Sequence, residues 1–138
     1  MTGRPLSDRD YRALARFRHA LRIFLHFSEE AARAEGLTPS QHQLLLAIRG
    51  HPHAPSVADL AEVLQLRSNS VVGLLDRAEE AGLTRSVPDP ADGRRRLAEL
   101  TDAGATVLER LSSRHRAELR GFRDEMADLL QELDEPER

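Results

Sequence analysis

The sequence has no cysteine, no lysine and no tryptophan, and only one tyrosine and four phenylalanines among its 138 residues. Without cysteine there is no disulfide, no thiolate metal site and no thiol redox sensor, so packing alone must hold the fold. Without lysine, all 20 basic residues are arginine, whose planar fork suits phosphate and guanine. With so many alanines, the bias also reads as a G- and C-rich genome. Long apolar runs are missing too. Leu44–Ile48 is typical of those present, far short of the roughly 20 residues a membrane span needs. Residues 1–14 carry Arg4, Asp8, Arg9, Asp10 and Arg12 with no apolar core to form a secretory signal. A cytoplasmic location with no membrane partner is expected. The formal net charge of -3 and pI near 6.1 exclude a uniformly basic surface. A composition of 40% hydrophobic and 31% charged residues suits a soluble fold, and the length suits one domain.

Signatures of catalysis are also lacking. There is no glycine-rich phosphate loop, no Gly-x-Ser-x-Gly elbow and no His-Glu-x-x-His helix. Acid pairs such as Glu29-Glu30 and Glu79-Glu80 are adjacent, so on a helix they diverge. No enzyme activity and no cofactor are expected.

What is present is a series of helical patterns separated by breakers. From Asp10 to Arg33, Tyr11, Leu14, Phe17, Leu21, Phe24, Leu25, Ala31 and Ala32 recur mostly at steps of three and four, predicting an amphipathic helix about 36 Å long. Ser7 and Asp10 cap it, and Gly36 stops it. Thr38, Pro39 and Gln41 then supply a capping hydroxyl, a first-turn proline and a reciprocal side chain for a helix ending near Arg49. Ser56 with Asp59 opens a short helix with Val57, Leu60, Ala61 and Leu64 on its buried side. Gln65 and Leu66 make a tight turn. A second short helix, Ser68 to Ala81, buries Val71, Leu74, Leu75 and Ala78 and ends at Gly82. Two short helices joined by such a turn read as helix-turn-helix. Leu83–Val87 and Arg94–Leu100, around an Asp-Gly-containing loop, read as a β-hairpin. Thr101 caps a further helix with Ala105, Leu108 and Leu111 inward. Leu119, Phe122, Met126, Leu129 and Leu133 then follow a heptad seam that calls for a partner helix.

The stretch Leu60–Thr101, LAEVLQLRSNSVVGLLDRAEEAGLTRSVPDPADGRRRLAELT, resembles the winged helix-turn-helix of MarR-type bacterial transcriptional regulators. The resemblance is carried by Leu-Leu-Asp-Arg at 74–77, Ala-Gly-Leu at 81–83, Asp-Pro-Ala-Asp-Gly-Arg at 89–94 and Leu-Thr at 100–101. The order of helices along the whole chain matches as well. It implies a mainly α fold with a small β wing. Residues 1–36 would form an N-terminal dimerisation helix, 37–100 the DNA-binding head and 101–138 C-terminal dimerisation helices, all in one structural unit. It also implies that Asp92 holds the wing and Arg94 touches DNA. Four departures are visible. Arg67 stands where a small hydroxyl residue is common, Gly73 where a larger polar side chain is, Ala78 where leucine is, and Gln65 where glycine is. The first two predict fewer base contacts, the third lighter packing, and the fourth a tighter or differently shaped turn.

The residue chemistry agrees with such a reading. Ser68, Asn69, Ser70, Gly73 and Arg77 fall opposite the apolar stripe of the second short helix, as a groove-reading surface requires. Arg67 precedes them, and Arg94, Arg95 and Arg96 follow on the wing. Strand alternation lets at most two of those three point the same way. From Leu64 to Leu100, six basic residues face six acidic ones, while from Thr101 onward six face ten. Acidic excess therefore sits in the tail. The expected partners are double-stranded DNA and a second copy of the chain, with a pseudo-palindromic operator and repression as output. The resemblance further implies a small anionic or phenolic effector in a cleft, for which His19, Arg22, His26 and His42 are candidates. His51 and His53 flank Pro52 in a chelating arrangement, but no third ligand is evident in the sequence, and no metal is assigned. An adaptor that has lost DNA binding, favoured by Gly73 and the neutral head, and a metal sensor remain as alternatives.

Overall fold

Local signals fix the helix starts in the computed structural model, which describes residues 3–134. Helix α1 spans Asp8–Ala34. The Ser7 amide donates to the Asp10 carboxylate at 3.0 Å, and the Asp10 amide donates to the Ser7 hydroxyl at 3.2 Å. Gly36 ends it at φ 80°, donating its amide to the Arg33 carbonyl. Helix α2, Pro39–Gly50, carries the Thr38–Gln41 capping box, and α3, Val57–Leu64, carries the Ser56–Asp59 one. These reciprocal bonds satisfy helix amides that otherwise lack a partner, each cap contributing about 1 kcal/mol. Helix α4 spans Ser68–Glu80, with Gly82 following at φ 75°.

Strands β1 (Thr84–Pro88) and β2 (Arg96–Leu100) pair antiparallel, Thr84 opposite Leu100 and Pro88 opposite Arg96. Arg94 and Arg95 therefore lie in the turn rather than on the strand, and the alternation expected of the three arginines does not apply to them. Asp92 accounts for the difference. Its carboxylate accepts the Arg94 amide and its carbonyl accepts the Arg95 amide, which extends the turn to the start of β2. Ser56 adds a bridge to Leu97, and the Ala98 amide donates to the Pro55 carbonyl. The entry to α3 is thereby pinned to the wing.

Helix α5 runs unbroken from Asp102 to Asp134, one helix where the sequence reading expected more than one. Thr101 caps it as expected, accepting the Gly104 amide. Nothing in residues 112–120 breaks the hydrogen-bond ladder. Its inward residues near the start are Val107, Leu108 and Leu111, while Ala105 is exposed. Gly104 is buried because the backbone approaches closely: a Cβ there would run into the Leu83 carbonyl oxygen.

The described chain divides into two compact units. One, Ala31–Ser113, holds the main core, in which Leu44, Leu45, Leu60, Val71, Leu75 and Leu111 are almost fully buried. Burying such side chains supplies about 1.5–3 kcal/mol each. Ala78 fits this core with no exposed surface. The other unit pairs the N-terminal part of α1, up to Glu30, with α5 from Arg114. Here the helices are antiparallel: Arg16 meets Glu132 at 2.9 Å, Phe24 stacks against Phe122 with ring centres 5.2 Å apart, and Ser28 meets His115 at 2.9 Å. Ala13 and Leu129 are buried between them.

Candidate nucleic-acid interface

The turn between α3 and α4 sets the presentation of α4. Gln65 takes φ 54° and ψ 46°, the left-handed conformation that glycine favours. Glutamine adopts the glycine-like shape at a cost of about 1–2 kcal/mol. The Leu66 amide donates to the Ala61 carbonyl, closing α3. Arg67 is the N-cap of α4 and makes no side-chain capping bond. The first-turn amides of α4 are thereby left for solvent or an anion, apart from Ser70, whose amide donates to Asn69 Oδ1 at 3.0 Å.

Helix α4 is two-faced. Val71, Leu74, Leu75 and Ala78 are buried, while Arg67, Ser68, Asn69, Ser70 and Arg77 are exposed. Gly73 is half-buried because the Arg77 guanidinium folds across it: a Cβ at Gly73 would lie 3.4 Å from Arg77 Nη1. The missing side chain is thus replaced by the next one up the helix, at the i+4 spacing that brings side chains together.

The three wing arginines have different partners. Arg96 binds back onto α4, with Nη1 3.1 Å from Asp76 and Nη2 2.9 Å from Glu79, and it also donates to the Ser86 hydroxyl. That hydroxyl in turn donates to Glu79. The Ser86 bond, foremost, and the Arg96 guanidinium hold the Glu79 carboxyl below its usual range. Arg95 lies 4.0 Å from Asp89. Arg94 is exposed, and no ion pair engages it among the described residues. Arg85 pairs with Glu99 directly across the hairpin at 3.1 Å. Equal numbers of charges in this segment therefore do not mean an evenly neutral surface. The acids Asp76, Glu79 and Glu99 are matched internally, and Arg67, Arg77 and Arg94 keep uncompensated charge.

The residues suggested for an effector are not brought together. His19 lines a cleft of about 450 Å³ between α1 and α5, with Arg16, Phe24, Phe122, Glu118 and Glu125. Arg22 and His26 are exposed and do not line it. His42 is buried on α2, in the other unit. Sequence reasoning passed over His115, which is buried against the edges of Phe24 and Phe27 and bonded to Ser28. Its signal was there: it continues the Leu108, Leu111 stripe at a step of four.

Comparison with known proteins fits this geometry. A family model described as MarR family matches residues 35–95. Transcriptional activatory protein BadR of Rhodopseudomonas palustris is 39% identical over 84 residues, covering 59% of this chain and 48% of BadR. The chain thus spans about half the length of that relative. HTH-type transcriptional repressor NicR of Pseudomonas putida is 29% identical over 110 residues, 76% of this chain and 68% of NicR. Among solved structures, AbsC, a MarR family transcriptional regulator from Streptomyces coelicolor, superposes with a TM-score of 0.74 at 24% identity, over 96% of this chain and 91% of AbsC. All three are named as regulators of transcription. The chain is thus similar to the MarR family over residues 35–95, and it shares its winged helix-turn-helix fold with AbsC along almost the whole length.

Proposed function

We propose that the protein is a homodimeric, sequence-specific DNA-binding regulator of transcription. The observation that carries this reading is the exposed face of α4, polar and arginine-bearing, beside a wing turn whose Arg94 is not engaged. Ser68, Asn69, Ser70 and Arg77 are assigned to base edges in the major groove, arginine being suited to guanine. Arg67 and the open first turn of α4 are assigned to a phosphate. Gly73 is assigned a spacing role, giving Arg77 room to lie along the helix. Asp92 shapes the wing turn, and Arg94 takes the backbone or minor groove with Arg95 beside it. Arg96 holds the wing to α4 instead of contacting DNA, because its guanidinium is already taken by two carboxylates.

A second copy of the chain is supported by apolar side chains that the single chain leaves exposed. Tyr11, Leu14, Phe17, Ile23 and Leu25 on α1, and Leu119, Leu130 and Leu133 on α5, are all solvent-facing. Such a concentration marks an interaction surface. On this reading residues 1–36 and 101–138 dimerise and residues 37–100 read DNA. No helix among the described residues is long and apolar enough to cross a membrane, and the protein is assigned to the cytoplasm.

The effector is proposed to be a small aromatic anion, with Phe24 and Phe122 as the apolar walls of the α1–α5 cleft and Arg16 and His19 as its polar groups. An incoming carboxylate has to displace Glu132 and Glu125 from Arg16, which couples occupancy to the α1–α5 contact. Of the four effector candidates, only His19 is retained. BadR is named an activatory protein and NicR a repressor. We therefore take the sign of the output to follow from where the operator lies, with repression where it overlaps a promoter. Selection of bound duplexes from a random pool tests the core of the proposal. An inverted repeat with half-sites one helical turn apart is expected, and a pool that stays random contradicts it.

A further inference from the structure

His51, His53 and Asp59 lie together at the junction of α2 and α3, away from the groove-reading face of α4. Each offers one ligand atom, and the three atoms lie within 4.8 Å of one another. We propose that they form a binding site for a first-row divalent cation of the zinc class. Two imidazoles and one carboxylate, with remaining positions open to water, are a donor set that such cations favour and that calcium and magnesium do not.

The orientation of the rings is what distinguishes this cluster from a chance gathering. His51 Nδ1 lies 3.0 Å from the His53 carbonyl oxygen, and His53 Nδ1 lies 3.1 Å from the Ala54 carbonyl oxygen. A carbonyl can only accept, so in both rings Nδ1 carries the proton and donates. In the neutral tautomer this geometry selects, each Nε2 offers its lone pair outward. Metal-binding histidines show this same arrangement, the far nitrogen fixed by a backbone carbonyl. The rings meet edge to face with centres 4.5 Å apart.

Asp59 is held from the other side. One carboxylate oxygen accepts the Ser56 amide at 3.0 Å, and that bond, above all, keeps its carboxyl below the usual range. No hydrogen bond engages its other oxygen among the described residues. In a tetrahedral site with bonds of about 2.0–2.1 Å, ligand atoms stand roughly 3.3 Å apart. Side-chain rotation to that spacing is available to exposed His53 and half-buried His51. Pro52 and Pro55 restrict the backbone that carries the rings. A bound cation would tie the α2–α3 loop to the first turn of α3, the helix that supports α4.

Calorimetric titration of the full chain with Zn(II) alone, with nitrogen-detected NMR of the histidine rings, tests the proposal. Saturable binding of one ion per chain is expected, with the Nε2 signals of His51 and His53 shifting. His53→Gln, at an exposed position, should weaken binding at least tenfold, and the His51→Gln/His53→Gln double variant should abolish it. His19→Gln should leave it unchanged. The melting temperature should rise with Zn(II) in the unchanged chain and not in the double variant. Absence of saturable binding by the unchanged chain, or affinity that survives in a double variant of normal helicity, overturns it.

Discussion

Arg94 and Arg96 are two positions apart and identical in type, yet their surroundings divide them. Arg96 is three-quarters covered, its side chain 26% exposed between Asp76 and Glu79, whereas Arg94 sits in the open turn. Replacing Arg96 with alanine leaves two α4 carboxylates without their cation. A loss of about 1 kcal/mol is expected by chemical denaturation, a partly exposed pair contributing no more than that. Gly73→Ala should act in the opposite direction. Glycine inside a helix costs roughly 0.5–1 kcal/mol relative to alanine. The neighbour a new Cβ meets is the flexible end of Arg77 at ordinary contact distance, so a gain of that size is expected, and a loss would show that Arg77 cannot give way. Which residues were legible at this scale follows from sequence separation. Ser7–Asp10, Thr38–Gln41 and Ser56–Asp59 are three apart, and helix geometry alone brings them together. Arg96 and Asp76 are 20 apart, and His115 and Ser28 are 87 apart. No local rule pairs them. The spacing of His51 and His53 is visible in the chain, but Asp59 joins them only once the loop has turned onto α3.

At the scale of elements, three carboxylates tie helix starts and the wing together. Asp10 and Asp59 are held below the usual range foremost by the amides of Ser7 and Ser56, and Glu79 by the Ser86 hydroxyl. A carboxyl lowered in the folded state stabilises it above the unfolded-state value, and that stabilisation is lost as pH falls through the folded value. The contribution of these three should therefore hold down to the ordinary carboxylate range and be lost below it. In a Glu79→Gln variant the acid-side fall should be shallower, as followed by thermal melting at stepped pH. An equally steep fall would mean that Glu79 contributes nothing to it. Most elements could be read from the chain because caps and breakers mark their starts and stops. The wing could not be bounded as well, since Asp92 bonds to two following amides and holds Arg94 and Arg95 in the turn. Nor could the single length of α5, because the sequence offers no glycine or proline signal between Gly104 and Gly121 by which to decide between one helix and two.

For the whole molecule, charge distribution outweighs charge total. A chain of net charge -3 binds a polyanion only if its cations are grouped and its acids spent elsewhere. Here internal pairing consumes Asp76, Glu79 and Glu99, while Arg67, Arg77 and Arg94 stay available. The sequence discloses the count but not the pairing, so the head reads as neutral until the partners are seen. These arginines and the polar face of α4 are proposed to form one DNA-binding surface. This is tested most directly by the salt dependence of binding to a selected duplex, compared between the unchanged chain and Arg94→Ala. Log affinity should fall linearly with log salt concentration, and the variant should bind more weakly with its slope reduced by about 1, as loss of one phosphate contact requires. No binding by the unchanged chain at low salt, or an affinity indifferent to salt, would rule out such a surface.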